Sequence, residues 1–261
     1  MSRTFTKHRA DAPPGFFACE AAGLDWLRVA DGPRVAQVRG VSASELQLEF
    51  VNSQPPSPGA AFDFGRRLAA LHSHVTPGFG SVPPQWGGNW FFGPLQAVFE
   101  LPATAYESWA EFFVRARLQP LERLLAEAGH LDAQLQTALG ELGEQVGAQQ
   151  LYAGMPPVRV HGDLWAGNLL WTAEDVVLID PAAHGNHPYT DLAMLELFGA
   201  SHLSEIFAGY AARSKLAAPT PTEIALHQVF PIGMHLVIFG AGYRSHLEQL
   251  LNIATAPIDN S

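Results

Sequence analysis

The residues best equipped for chemistry lie between positions 161 and 182. They read His161-Gly162-Asp163-Leu164-Trp165-Ala166-Gly167-Asn168 and, after a strand–turn–strand pattern, Ile179-Asp180-Pro181-Ala182. Asp163 and Asn168 on one loop can point into one site. A hairpin formed by Leu169–Trp171, the turn Ala173-Glu174-Asp175 and Val176–Ile179 would bring Asp180 back beside them. That is the equipment of phosphoryl transfer. One carboxylate takes the proton of an attacking hydroxyl, while an amide and a second carboxylate hold Mg²⁺ on the phosphates. Asp163 is therefore the candidate base, and Asn168 and Asp180 are the candidate metal ligands. The bare H-x-D-x-x-x-x-N pattern recurs by chance. The hairpin ending in an aspartate turns it from loop polarity into a site.

The rest of the chain has to position these groups. Arg3–His8 reads as a strand and Pro13–Ala30 as a helical stretch. Val35–Val41 and Glu45–Val51 read as a hairpin joined by Ser42-Ala43-Ser44. The Pro/Ser-rich run Asn52–Gly59 breaks regular structure and is taken as the boundary between a small lobe, 1–52, and a larger lobe, 53–261. Beyond it the expected helices are Ala60–His74, Ala105–Ala128, Leu131–Gly147, Thr190–Lys215 and Pro221–Leu251. The loop Thr76–Pro94 carries Trp86, Trp90, Phe91 and Phe92, too apolar for disorder, so a functional loop is expected. The order implies an α+β fold with a small N-terminal α/β lobe and a mostly helical C-terminal lobe.

The 261 residues are 48% hydrophobic and 15% charged, a globular composition. A net charge of −10 argues against a nucleic-acid backbone as partner. Cys19 is the only cysteine, so neither a disulfide within the chain nor a cysteine metal cluster is expected. The first residues lack a signal-peptide core, and no run of about 18 apolar residues is evident. A cytoplasmic monomer without a membrane partner is the expectation.

These residues resemble the fructosamine kinase (ketosamine 3-kinase) family, within the aminoglycoside/choline-kinase-like, protein-kinase-like fold. His161–Asn168 looks like that family's H-G-D-L-W-x-G-N, and Asp180-Pro181-Ala182 like its D-P-A. His187 with Asp191-Leu192-Ala193, Leu68–His72, Asn89 with Phe92-Gly93-Pro94 and Gln96, Trp109–Phe113 with Arg117-Leu118, and Phe239-Gly240 with Gly242-Tyr243 extend the resemblance along the chain. The resemblance implies an ATP- and Mg²⁺-dependent kinase acting on the sugar 3-hydroxyl of a ketosamine, a repair of glycated amines. It implies that Lys7, in Phe5-Thr6-Lys7, contacts nucleotide phosphate and that Glu20 pairs with it. It places the backbone of Glu49 and Val51 on the adenine edge. Trp165 is expected to wall the sugar-amine pocket, with His161 on the substrate side bracing the loop.

One departure stands out. The family has two strands and a Gly-rich loop ahead of its lysine strand, whereas six residues without glycine precede Lys7 here. Weak ATP binding and an exposed sheet edge are expected. A kinase for choline or an aminoglycoside is the rival enzyme, and a pseudokinase is the rival from another class. Phe230–Glu248 holds a single acidic residue, which disfavours a polycationic aminoglycoside.

Overall fold

A computed structural model describes residues 3–256. The chain opens with strand β1 (Thr4–His8), helix α1 (Phe16–Trp26) and the short strands β2 (Arg34–Val35), β3 (Val38–Val41) and β4 (Glu45–Glu49). β1, β4 and β3 form an antiparallel sheet in that order, with Lys7 opposite Leu46. Leu46 and Leu48 alternate inward from β4 and are buried against α1 residues Phe17 and Leu24. β1 is the outer strand of this sheet among the described residues.

The larger part begins with α2 (Pro58–Leu71), whose N-terminus is capped by the Ser57 hydroxyl accepting from Ala60 N–H. Hairpin β5 (Trp90–Phe92) and β6 (Phe99–Leu101) interrupts the aromatic loop. Helices α3 (Trp109–Phe113), α4 (Gln119–Glu127) and α5 (Ala133–Gln149) follow, then strands β7 (Val158–Val160), β8 (Leu169–Trp171), β9 (Val176–Leu178) and β10 (His184–Asn186). Helices α6 (Tyr189–Leu197), α7 (Leu203–Arg213), α8 (Pro221–Phe239) and α9 (Arg244–Ala254) complete it.

Several expected elements are divided, each for a local reason. The first expected hairpin is only β3 and β4, because Arg34–Val35 leaves it to pair in parallel with β9. Residues before 52 are thereby hydrogen-bonded to the hairpin that carries Asp180. One apolar cluster also runs from Phe17 and Leu48 through Leu68 to Val177 and Ile206, across the expected lobe boundary. The expected helix Ala105–Ala128 starts at Trp109, and its middle, Val114–Leu118, is a π-turn joining α3 to α4. Pro120 has no N–H for the carbonyl of Ala116 four residues earlier. The Arg117 guanidinium donates to that carbonyl instead, at 2.8 Å. Gly199 at φ 66° separates α6 from α7, and Gly240 at φ 86° ends α8 before α9. α8 is long and apolar enough on average to cross a bilayer, but it is interrupted by Glu223, His227, Gln228 and His235, and 67% of its most apolar stretch is buried inside the protein.

α2 and α7 cross at very close range. A Cβ on Gly65 would lie 1.9 Å from the Ile206 carbonyl, and one on Gly209 would lie 1.9 Å from that of Phe62. Gly65→Ala should therefore force the helices apart and cost about 1–3 kcal/mol in urea unfolding. Gly140, exposed on α5 with open space around it, should behave oppositely: Gly140→Ala should gain about 0.5–1 kcal/mol through helix propensity. Equal midpoints for the two variants would contradict this packing.

Candidate active site

The loop between β7 and β8 is held by one buried carboxylate. Asp191, in the first turn of α6, accepts the backbone N–H of His161 at 2.7 Å and of Gly162 at 2.8 Å, and His72 Nε2 lies 3.1 Å from it. His72 Nδ1 in turn meets the Tyr210 hydroxyl at 3.0 Å, which ties α2, α6 and α7 to the loop. Burial pushes the Asp191 carboxyl upward, but the His72 hydrogen bond and charge, with the Gly162 N–H, hold it below the ordinary aspartate range. Gly162 takes φ 82°, and a Cβ there would lie 2.2 Å from the Ala182 carbonyl, so the loop and the segment after Asp180 pack backbone to backbone.

His161 is fully buried, and its Nε2 meets the Ile179 carbonyl at 2.9 Å. It braces the loop and does not line the cleft, so the expected place on the substrate side is corrected: burial turns the ring inward.

Asp163, Asn168 and Asp180 do converge. The Asn168 amide donates to the Asp163 backbone carbonyl at 2.7 Å, to its carboxylate at 3.1 Å and to the Asp180 carbonyl at 3.4 Å. Burial lifts the Asp163 carboxyl to about 7; the Asn168 hydrogen bond opposes the shift and the Asp180 charge adds to it. A carboxylate poised near neutrality suits a general base. Asp180 sits at φ 55°, a left-handed conformation that aspartate tolerates better than most residues.

Lys7 bridges the two parts of the chain. Its Nζ lies 2.7 Å from Glu20 Oε1 and 2.6 Å from Asp180 Oδ1. Burial alone would lower its pKa, but the Glu20 and Asp180 charges outweigh this and keep it protonated. Burial raises the Glu20 carboxyl against the pull of Lys7. Asp180 Oδ1 is buried, and no donor is aligned on it for a hydrogen bond. The Asp180 carboxylate and the Asn168 amide oxygen, side by side at the cleft, are an all-oxygen pair of the kind that suits Mg²⁺.

The cleft holds about 760 Å³ and is lined by Lys7, Glu20, Asp163, Asn168 and Asp180, by Trp90–Gln96, and by Trp165, Phe198, His235, Phe239 and Tyr243. The aromatic loop thus supplies one wall through β5. Trp165 is 38% exposed and lies over Gly167, where a Cβ would stand 2.2 Å from the indole. Glu49 and Val51 do not line the cleft. The Glu49 N–H donates to the Gln37 carbonyl, and its carboxylate meets Arg34 at 3.0 Å.

Asp191 and Arg117 were not legible as site residues. Arg117 is buried against the rings of Trp90, Phe112 and Phe230, and its Nη2 donates to His184 Nε2 at 3.1 Å. His184 Nδ1–H then donates to the Ala182 carbonyl at 2.8 Å. Burial and the Arg117 charge push the His184 pKa to about 3, so the ring is neutral and serves as a spacer behind the Asp180–Ala182 segment.

Asp163→Asn should lower kcat by about 10²–10⁴-fold while nucleotide still binds. Asp180→Ala should lose Mg²⁺-dependent nucleotide binding as well. Calorimetry beside turnover separates the two, and near-normal turnover by Asp163→Asn would refute the base. Asp191 carries a depressed pKa, so its ionised form adds stability above the ordinary value near about 3.9, and this is lost as pH falls through the folded value. The wild-type urea midpoint should therefore fall below about pH 4 more steeply than that of Asp191→Asn.

The fructosamine kinase family model matches residues 1–256. A Thermus thermophilus protein described as a probable ketoamine kinase is 31% identical over 258 residues, covering 97% of this chain and 87% of its own. An Escherichia coli K12 protein of the same description is 28% identical, covering 86% and 78%. A Thermobifida fusca crystal structure described as a fructosamine-3-kinase superposes with a TM-score of 0.85 at 37% identity, over 97% of this chain and 85% of its own. A choline kinase from Streptococcus pneumoniae, at 13% identity and TM-score 0.60 over 98% and 87%, shares the fold. The buried loop, the two aspartates and the bridging lysine are thus set in a protein-kinase-like fold, and the chain belongs to the fructosamine kinase family, phosphotransferases with an alcohol group as acceptor.

Proposed function

We propose that this protein transfers the γ-phosphoryl group of ATP to the 3-hydroxyl of a ketosamine, the sugar adduct of an amine, and that the phosphorylated adduct then breaks down to release the amine. The observation that carries the reading is the convergence of Asp163, Asn168, Asp180 and Lys7 on one cleft with Trp165 two residues beyond the base. Asp163 accepts the hydroxyl proton as the new O–P bond forms and the bond to ADP breaks. Lys7, aimed by Glu20, meets phosphate oxygens. Asn168 and Asp180 would hold Mg²⁺, which supplies charge neutralisation on the phosphates. Trp165 offers a flat apolar surface to the sugar-amine.

The acceptor panel that tests this is a fructose- or ribose-derived lysine adduct against choline and an aminoglycoside. The adduct should be turned over fastest, with phosphorus–proton coupling in the product placing phosphate on the 3-hydroxyl. Faster turnover of choline or the aminoglycoside would overturn the substrate. Trp165→Ala should raise the KM for the adduct more than that for ATP.

A further inference from the structure

The cleft has more aromatic surface than the transfer of a phosphoryl group requires. From Trp165 the rings run in a chain of contacts: Trp165 to Phe198 at 5.9 Å, Phe198 to His235 at 5.2 Å, His235 to Phe239 at 5.3 Å and to Tyr243 at 5.1 Å. These rings come from separate places in the fold. Trp165 is on the catalytic loop, Phe198 caps the end of α6, and His235 and Phe239 lie on the last turns of α8. Gly240, at φ 86°, ends that helix and turns the chain so that Tyr243 packs back on it.

This surface is open. Phe198 is 39% exposed and Phe239 58%, beside the 38% of Trp165, and all five rings line the same cleft as Asp163. Contiguous exposed aromatic surface inside a cleft marks a binding site rather than scattered surface apolarity. Its polarity is also defined. His235 donates its Nδ1–H to the Pro231 carbonyl at 2.7 Å, and burial holds its ring below the ordinary histidine value, so it is neutral near pH 7. Among the described lining residues Lys7 is the only lysine or arginine, and it is engaged by Glu20 and Asp180. The carboxylates of the lining, Glu20, Asp163 and Asp180, all belong to the transfer machinery.

We propose that Phe198, His235, Phe239 and Tyr243 form the subsite for the substituent on the ketosamine nitrogen, and that they select adducts of apolar amines, above all aromatic ones, over adducts carrying a carboxylate next to that nitrogen. The inference rests on the ketosamine reading above and sharpens it. The secondary ammonium of the adduct can sit over a ring face, where the quadrupole attracts it without a fixed acidic partner. An apolar substituent then covers the exposed rings and removes their surface from water. A carboxylate on the same nitrogen substituent would lose hydration against this wall and meet no cation.

The test is a series of fructose adducts of benzylamine, propylamine and glycine, assayed with Mg-ATP by ADP release. The benzylamine adduct should exceed the glycine adduct in kcat/KM by about tenfold or more, the scale of burying part of a phenyl ring, with the propylamine adduct between them. The double variant Phe198→Ala/Phe239→Ala should bring that ratio to about threefold or less. The KM for ATP should stay as in the wild type. Both side chains are exposed, so the melting temperature of the double variant should match the wild type; if it does not, Phe239→Leu alone gives the reading through an intermediate ratio. Binding of the benzylamine adduct to Asp163→Asn, followed by calorimetry, reports the subsite without turnover. Equal turnover of the benzylamine and glycine adducts, or a ratio that survives the double variant, overturns the proposal while leaving the ketosamine reading intact. Turnover of none of the adducts beside turnover of choline overturns that reading and this one with it.

Discussion

The active loop depends on a single buried carboxylate. Two consecutive backbone N–H groups, at His161 and Gly162, end on Asp191, which is itself fixed by His72. A charge in so dry a place is tolerable only when its oxygens are fully hydrogen-bonded. The same condition makes the arrangement rigid: the loop cannot shift without leaving the carboxylate short of partners. Asp163 inherits its position from this anchor, being the next residue after Gly162. Removing one partner would cost more than the hydrogen bond alone, because the uncompensated charge stays behind.

Around that anchor the charges join the two parts of the chain. Glu20, Lys7 and Asp180 form a line of negative, positive and negative groups in contact. Lys7 is held between two carboxylates, and Asp180 Oδ1 has no aligned donor. The small sheet and α1 bring Lys7 and Glu20, the β8–β9 hairpin brings Asp180, and the β2–β9 pairing fixes one unit against the other. Behind the hairpin, Arg117 and neutral His184 support the Ala182 carbonyl from the helical side. Phosphoryl transfer needs positioned charge more than covalent chemistry, and these contacts provide the positioning.

The other end of the cleft is built differently. Rings rather than charges line it, from Trp165 to Tyr243. The cleft therefore has a charged end and an aromatic end that meet at Asp163, which matches a reaction joining a triphosphate to a sugar carried on an amine. The aromatic loop seen in the sequence contributes through Trp90–Gln96, tied to the small lobe by the Arg9 guanidinium on the Leu95 carbonyl.

What the sequence determined by itself was the local chemistry. Asp163, Asn168, the hairpin and Asp180 follow from residue type and spacing, because loop and hairpin geometry are set by neighbours in the chain. The α+β order of elements was legible for the same reason. Lys7 and Glu20 were legible only through the family resemblance, since the spacing of 13 residues that separates them has no meaning until α1 folds under β1. The breaks at Gly199 and Gly240 were missed because helical periodicity runs on through both positions, and only the left-handed or extended backbone there divides the helices. Tertiary structure alone decided which polar groups are buried. It turned His161 inward, committed the Glu49 amide to Gln37, made Asp191 the anchor across 30 residues and set Arg117 behind His184 across 67. Burial and long-range hydrogen bonding are properties of the packed chain, and no stretch of neighbouring residues specifies them.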